Sequence, residues 1–212
     1  MAELAGLLVR AITADPVDDG EDPTRARILD AALDEAAAVG LARMTVEDVV
    51  RRSGLGRMTV YRRFAKRDEV VDALVVRECR RFLDAVADGL RAGDTAEDAT
   101  AAAFVAAMRF ARTHPLLRRV ADTDPGSVLA TAAARDRQVL GLGRDFIASQ
   151  IAQSRPDADP RAVRRTADLV ARLFLTYVAV PPDDPDPRDE AELRAFARDV
   201  LAPVIAAGSG AG

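Results

Sequence analysis

A chain of 212 residues, 49% apolar and 30% charged, can hold one large domain or two modest ones with real cores. Its one cysteine excludes an internal disulfide and fits a reducing compartment, and with a single histidine beside it a transition-metal site is not expected. The formal charge of −4 is unevenly spread: residues 43–67, RMTVEDVVRRSGLGRMTVYRRFAKR, carry eight Arg or Lys against two acids, a formal +6 that leaves −10 for the rest. A basic island in an acidic chain is the electrostatic footprint a polyphosphate backbone attracts. Charge alone also fits a solvated face, so the apolar pattern must decide.

The chain opens with MAELAGLLVRAITA, interrupted by Glu3 and Arg10 and without the layout of a secretory signal. Residues 1–22 are expected to be an extension, a short helix and an acidic linker, either packed on a partner subunit or disordered. Asp22-Pro23 starts a helix, with Asp as cap and Pro at the first helical position. Ile28, Leu29, Ala32, Leu33, Ala36 and Val39 recur at helical spacing, and Gly40 stops them. Thr45 can cap a second helix with Asp48 in its first turn, and Val46, Val49 and Val50 give it an apolar face. Ser53-Gly54 ends it, Leu55 packs inward, and a third helix starts near Gly56-Arg57. In that helix Val60 and Phe64 lie four apart and must be buried. Arg57, Met58, Tyr61 and Arg62 then point outward, flanked by Thr59 and Arg63. Two short helices around a glycine-containing turn make a helix-turn-helix, whose second helix offers its N-terminal residues to a major groove. The side chains suit DNA: Arg for guanine or phosphate, Met58 for a thymine methyl, Thr59 and Tyr61 hydroxyls for phosphate oxygens.

The stretches RARILDAALDEAAAVG, TVEDVVRRSGLGRMTVYRRF and KRDEVVDAL together resemble the TetR family of transcriptional regulators over roughly residues 25–74. The resemblance implies an N-terminal DNA-binding domain and a C-terminal all-helical domain that dimerises and usually binds a small inducer. By match to the family pattern, Thr45, Arg57, Thr59, Tyr61 and Arg67 resemble phosphate-contacting positions, and Arg57, Met58 and Arg62 stand where bases are read. Arg25, Arg63 and Lys66 complete the expected DNA-binding set. Three residues depart from the pattern. Gly56 replaces a Ser or Thr cap, Met58 a common Gly, and Ala36 a common Phe whose space Val39 or Met44 must fill.

A long helix is expected from Asp68, with Val71, Leu74, Val75, Cys79, Phe82, Leu83, Val86 and Leu90 as its buried stripe and Gly93 at its end. Asp94 or Thr95 caps the next helix, which runs to His114. Pro115 opens a short one, and Asp122-Thr-Asp-Pro-Gly126 leads to a long helix of about Ser127–Gln153. Further helices are expected at about 161–178 and from Asp189 to about 206, with a possible kink at Pro203. Both are apolar on more than one side, which calls for two partners each. The second partner is expected to be the same helix pair of another subunit, giving a two-fold homodimer, with Ala167 and Ala171 allowing close approach. The GSGAG tail, 208–212, is expected to be flexible.

The expected architecture is therefore all-α. A helix-turn-helix domain spans 23–67 and a helical ligand-binding and dimerisation domain spans 68–207. Phe82, Phe104, Met108, Phe146, Gln150, Phe174 and Tyr177 are the expected lining of an effector pocket, mostly apolar with two polar groups to orient a ligand. Their low charge points to a small hydrophobic effector. No nucleophile motif accompanies His114, and the two GLG segments follow no strand, so catalysis and cofactors are not expected. The expected function is a cytoplasmic, effector-released repressor that binds a palindromic operator in double-stranded DNA as a dimer, with no membrane partner. The alternative is a DNA-binding regulator of the same fold gated by a protein partner or by nothing.

Overall fold

The structure, a computed structural model, describes residues 22–123 and 138–208. Every regular element among them is helical: α1 (Pro23–Val39), α2 (Val46–Ser53), α3 (Arg57–Arg63), α4 (Arg67–Arg91), α5 (Ala96–Thr113), α6 (Pro115–Thr123), α7 (Gln138–Ser154), α8 (Pro160–Ala179), α9 (Glu190–Phe196) and α10 (Ala202–Gly208), the last two joined by a π turn (Ala197–Leu201). The expected extension before Asp22, the expected helix start at Ser127 and residues 209–212 lie outside the described residues. No described helix is long and apolar enough to cross a membrane.

The chain forms two compact units. The first reaches Arg81 and takes in His114–Arg119; the second comprises Phe82–Thr113 and the residues from Val120. The sequence division at 67/68 falls short of the first unit's edge for a physical reason. Val70 and Leu74 of α4 are fully buried in the same core as Ile28, Leu29, Val49, Val60 and Phe64. Each such side chain contributes about 1.5–3 kcal/mol by leaving water. Ala36 is fully buried, and Met44, 1% exposed, is in the same core, with Val39 packed at its edge.

Local chemistry sets the helix ends of this unit. The Asp22 carboxylate accepts from the Arg25 N–H at 3.1 Å, and Pro23 follows at the first helical position. Gly40 closes α1 at φ +90°, and Arg119 of α6 donates to the free carbonyls of Ala37 and Ala38 there. α1 and α2 are tied by the Arg52 guanidinium on the buried Glu35 carboxylate, 2.7 Å away.

α4 departs from its expected stripe. Besides Val70 and Leu74, its buried residues in this unit are Arg77 and Glu78. Arg77 donates to Glu78 at 2.7 Å and to Asp30 of α1 at 2.8 Å, while His114 Nε2 lies 3.1 Å from Glu78 Oε2. The Leu117 N–H donates to His114 Nδ1, so this histidine caps the start of α6. Burial, with the Glu78 charge beside it, pushes the half-buried Cys79 thiol up to about 12, which leaves it neutral.

In the second unit, Ala101, Phe104, Val105 and Met108 of α5 pack on Leu193 of α9 and on Ala197 and Leu201 of the π turn. Thr95 and Asp98 cap α5, Asp159 caps α8 and Asp189 caps α9. α7 runs along α8, and Gly143 faces Ala171. Ala167 and Ala171, 0% and 4% exposed, are thus covered within this chain. The expectation that they would approach a second subunit is corrected: Ala171 makes room for α7. The helix widens one turn before Pro203, where the Ala202 N–H reaches back to the Ala197 carbonyl. A proline has no N–H for a regular turn and its ring crowds the carbonyl four residues back, and the wider turn relieves both.

Candidate nucleic-acid interface

The turn between α2 and α3 is built from three local signals. Thr45 and Asp48 form a reciprocal capping box: the Asp48 N–H donates to Thr45 Oγ1, and the Thr45 N–H donates to Asp48 Oδ2, each at 3.2 Å. Gly54 ends α2 at φ +63°, a conformation that favours glycine. Arg27 Nε donates to the Ser53 carbonyl at 2.7 Å, closing α2 from the side of α1. Gly56 supplies no side-chain cap to α3, so its backbone carbonyl alone accepts from Thr59 and Val60.

α3 is seven residues long, too short to hold itself, and two anchors fix its rotation. Val60 is fully buried and Phe64 is 2% exposed. With that side inward, Arg57, Met58 and Arg62 stand outward, and Met58 is 80% exposed. Met58 and Arg62 are four apart and form one outer row; Arg57 and Tyr61 form the next. Arg62 and Lys66 are exposed, with no ion-pair partner among the described residues.

The other expected contact residues are less free. Tyr61 is half-buried against the first core, and its hydroxyl donates to Glu47 Oε1 at 2.5 Å. Arg57 donates to the same oxygen at 3.1 Å, with its guanidinium 5.2 Å over the Tyr61 ring. Hydrogen bonding to Glu47 is the main reason the Tyr61 phenol lies above its ordinary value. Arg63 pairs with Asp22 at 2.8 Å. Thr45 is exposed, but its hydroxyl is held by Asp48 in the cap. Thr59 is half-buried. The Arg25 guanidinium stacks over the Phe64 ring, 5.0 Å from its centre. Arg67 bonds inward, to the carbonyls of Met44 at 3.0 Å and of Leu41, and pairs with Asp68. The side chain that sequence reasoning missed is Glu47, counted there only as one acid in a basic island. Its reach across to α3, ten and fourteen residues on, leaves no periodic trace in the sequence.

Of the expected pocket residues, the second unit brings two groups together. Phe82 packs on Phe174 at 5.5 Å and on Phe110 at 5.4 Å between ring centres. Phe104 meets Tyr177 at 6.3 Å and Phe196 at 5.8 Å, with Met108 in the same cluster. Burial, and then the Asp184 charge, raise the Tyr177 phenol. Phe146 and Gln150 lie half-buried on α7. Phe110 and Phe196 were not in the expected set. Among the described residues no cluster of His, Cys, Asp or Glu could hold a metal ion.

Comparison with known proteins agrees with this arrangement. The profile of bacterial regulatory proteins of the tetR family matches residues 28–74, and that of the bacterial tetracyclin repressor C-terminal domain matches residues 95–198. An uncharacterized HTH-type transcriptional regulator of Mycobacterium tuberculosis, Rv1255c, is 28% identical over 187 residues, 87% of each chain. The HTH-type transcriptional regulator AlkX of the same organism is 26% identical over 179 residues, covering 76% of this chain and 80% of its own. Among solved structures, the TetR family repressor AlkX of a Dietzia strain, implicated in biodegradation of n-alkanes, shares the fold with a TM-score of 0.59 at 19% identity, over 88% of this chain and 98% of its own. The fatty acid degradation regulator FadR of Bacillus halodurans does so with a TM-score of 0.52 at 16% identity, over 85% and 97%. With both halves of the helix-turn-helix pattern and the C-terminal profile matched, the chain belongs to the TetR family of helix-turn-helix transcriptional regulators.

Proposed function

We propose that this regulator is a homodimeric repressor that acts in the cytoplasm, binds a palindromic operator through α3 of each protomer, and is released by a small hydrophobic effector held in its C-terminal helices. The observation that carries the DNA half is the outward row of Met58 and Arg62 beside Arg57 on a helix locked by Val60 and Phe64. A guanidinium can fork onto guanine, and an exposed thioether suits a thymine methyl. Arg62, Arg57 and Met58 read bases in this account. Lys66 and Thr59 hold phosphates, and the Tyr61 hydroxyl does so by giving up its Glu47 contact for a phosphate oxygen, while Arg25, Arg63, Arg67 and Thr45 chiefly brace the elements that carry them. Replacing Arg57 or Arg62 by Ala should weaken operator binding by about 1–3 kcal/mol each and leave helicity intact. Gel-shift titration against a selected palindromic duplex measures this, and parent-like affinity in both variants would remove α3 as the reading face.

The effector half rests on the apolar, aromatic character of Phe82, Phe104, Met108, Phe146, Phe174 and Tyr177, with the Tyr177 hydroxyl and Gln150 as the orienting polar groups. Binding energy enters the operator equilibrium only through a difference in effector affinity between DNA-competent and released forms. A second reading, a regulator gated by a protein partner or by nothing, is favoured by the mutual packing of the Phe82, Phe110 and Phe174 rings. Thermal melting against a broad panel of neutral hydrophobic compounds separates the two. A bound effector raises the midpoint and releases DNA, and a flat response across the panel supports the second reading.

A further inference from the structure

On the reading that the α3 face docks on DNA, the contact between Glu47 and that face has a consequence for selectivity. One carboxylate oxygen of Glu47, at the start of α2, accepts from both the Tyr61 hydroxyl, at 2.5 Å, and the Arg57 guanidinium, at 3.1 Å. The guanidinium is held a second way, over the Tyr61 ring. Arg57 and Glu47 are 68% and 55% exposed, so their ion pair contributes little to folding. The hydrogen bond from Tyr61, helped by Arg57, keeps the Glu47 carboxyl below its ordinary value, and it is ionised at neutral pH.

We propose that Glu47 is a specificity-determining residue, a buttress that fixes the direction of Arg57 and Tyr61 while cancelling part of their attraction for any phosphate. The two effects act on different complexes. Random-sequence DNA is bound almost wholly by charge, so an anion beside Arg57 weakens that complex. A base edge demands a guanidinium in one orientation, and a pre-aimed Arg57 loses less freedom in reaching it. The ratio of operator to random-sequence affinity therefore rises on both counts. A carboxylate that merely stapled α2 to α3 would change stability and leave that ratio alone.

The test uses the full chain, a random-sequence duplex, and the palindromic duplex recovered from a random pool by selection on the parent protein. Glu47→Gln removes the charge and keeps the size. It should tighten binding to the random duplex and steepen its log–log salt dependence by about one. The operator-to-random ratio should fall roughly tenfold, toward the low end of what one good base contact discriminates. Glu47→Asp keeps the charge and shortens the reach. It should leave the random-duplex salt slope as in the parent and weaken operator binding. Melting curves establish that each variant folds, which the exposed position of Glu47 favours. An unchanged or higher ratio in Glu47→Gln, or parent-like operator binding in Glu47→Asp, overturns the inference while leaving the DNA-binding reading intact. A parent that prefers no duplex would overturn that reading first, and this inference with it.

Discussion

Glu78 sits almost out of water, 7% exposed, with Arg77, Arg81 and His114 around it and Asp30 sharing Arg77. Burial by itself would raise its carboxyl, but the hydrogen bond from His114 and the Arg77 and Arg81 charges outweigh it and hold the value below the ordinary 4.5. A carboxyl depressed in the folded state stabilises it fully above the unfolded value, and that stability is lost as pH falls through the folded value. Acid unfolding followed by circular dichroism should therefore show a component below about pH 4.5 that is absent in Glu78→Gln. Glu78→Ala should cost about 3–5 kcal/mol at neutral pH, because Arg77 would be left buried without its closest anion. Denaturant titration measures that loss, and a change within ±0.5 kcal/mol, typical of surface sites, would refute the buried-network account. None of this could be read from the sequence. Arg77 and Glu78 interrupt an apolar stripe that looked complete without them, and His114 arrives from 36 residues away. The outward direction of Arg57, Met58 and Arg62 was legible because the anchors Val60 and Phe64 leave a short helix only one way to face. The inward bonds of Arg67 were not, since basic residues that brace and basic residues that bind look alike until the carbonyls around them are placed.

At the scale of elements, helix starts were the most legible feature because each is written in adjacent residues. Asp22-Pro23, Thr45 with Asp48, and Thr95, one of the two caps expected there, all cap where the sequence places them, and the last helix starts at the expected Asp189. The Asp159 cap, with Pro160 at the first helical position, was not read, and α8 begins one residue before its expected start. Rotation and widening were less so. The π turn at Ala197–Leu201 answers Pro203 from its N-terminal side, and the inward phase of Ala171 depends on Gly143 in another helix. The α2–α3 turn offers a direct test of its own mechanism. An alanine at Gly54 would keep φ near +63°, and its Cβ would stand 3.1 Å from the Arg27 guanidinium that closes α2. Gly54→Ala is expected to destabilise the first unit by about 1–2 kcal/mol, the cost of a left-handed L-residue. Thermal melting reads this, and an unchanged midpoint would mean that the turn relaxes without the left-handed conformation.

For the whole molecule, three large apolar side chains among the described residues of the second unit remain exposed in the single chain: Leu169 at 55%, Val180 at 59% and Val200 at 44%. Leu169 and Val200 lie on the two helical segments expected from the sequence to meet a second subunit. A two-fold interface there would bury more than about 1,000 Å² if stable. Leu169→Glu with Val200→Glu should convert a dimer to monomers by light scattering at micromolar concentration, with helicity kept. Substitutions at Ala171 or Phe174 would instead disturb the chain's own packing. A monomeric parent under the same conditions would contradict the assembly.

The central claim is that two copies of the α3 face read a symmetric site, and binding-site selection from a random duplex pool, followed by sequencing, tests it most directly. The account predicts an enriched palindrome whose half-sites are spaced by about one helical turn, roughly 34–36 Å, or a multiple of it. No enriched motif, or a lone half-site without its mirror, would contradict it.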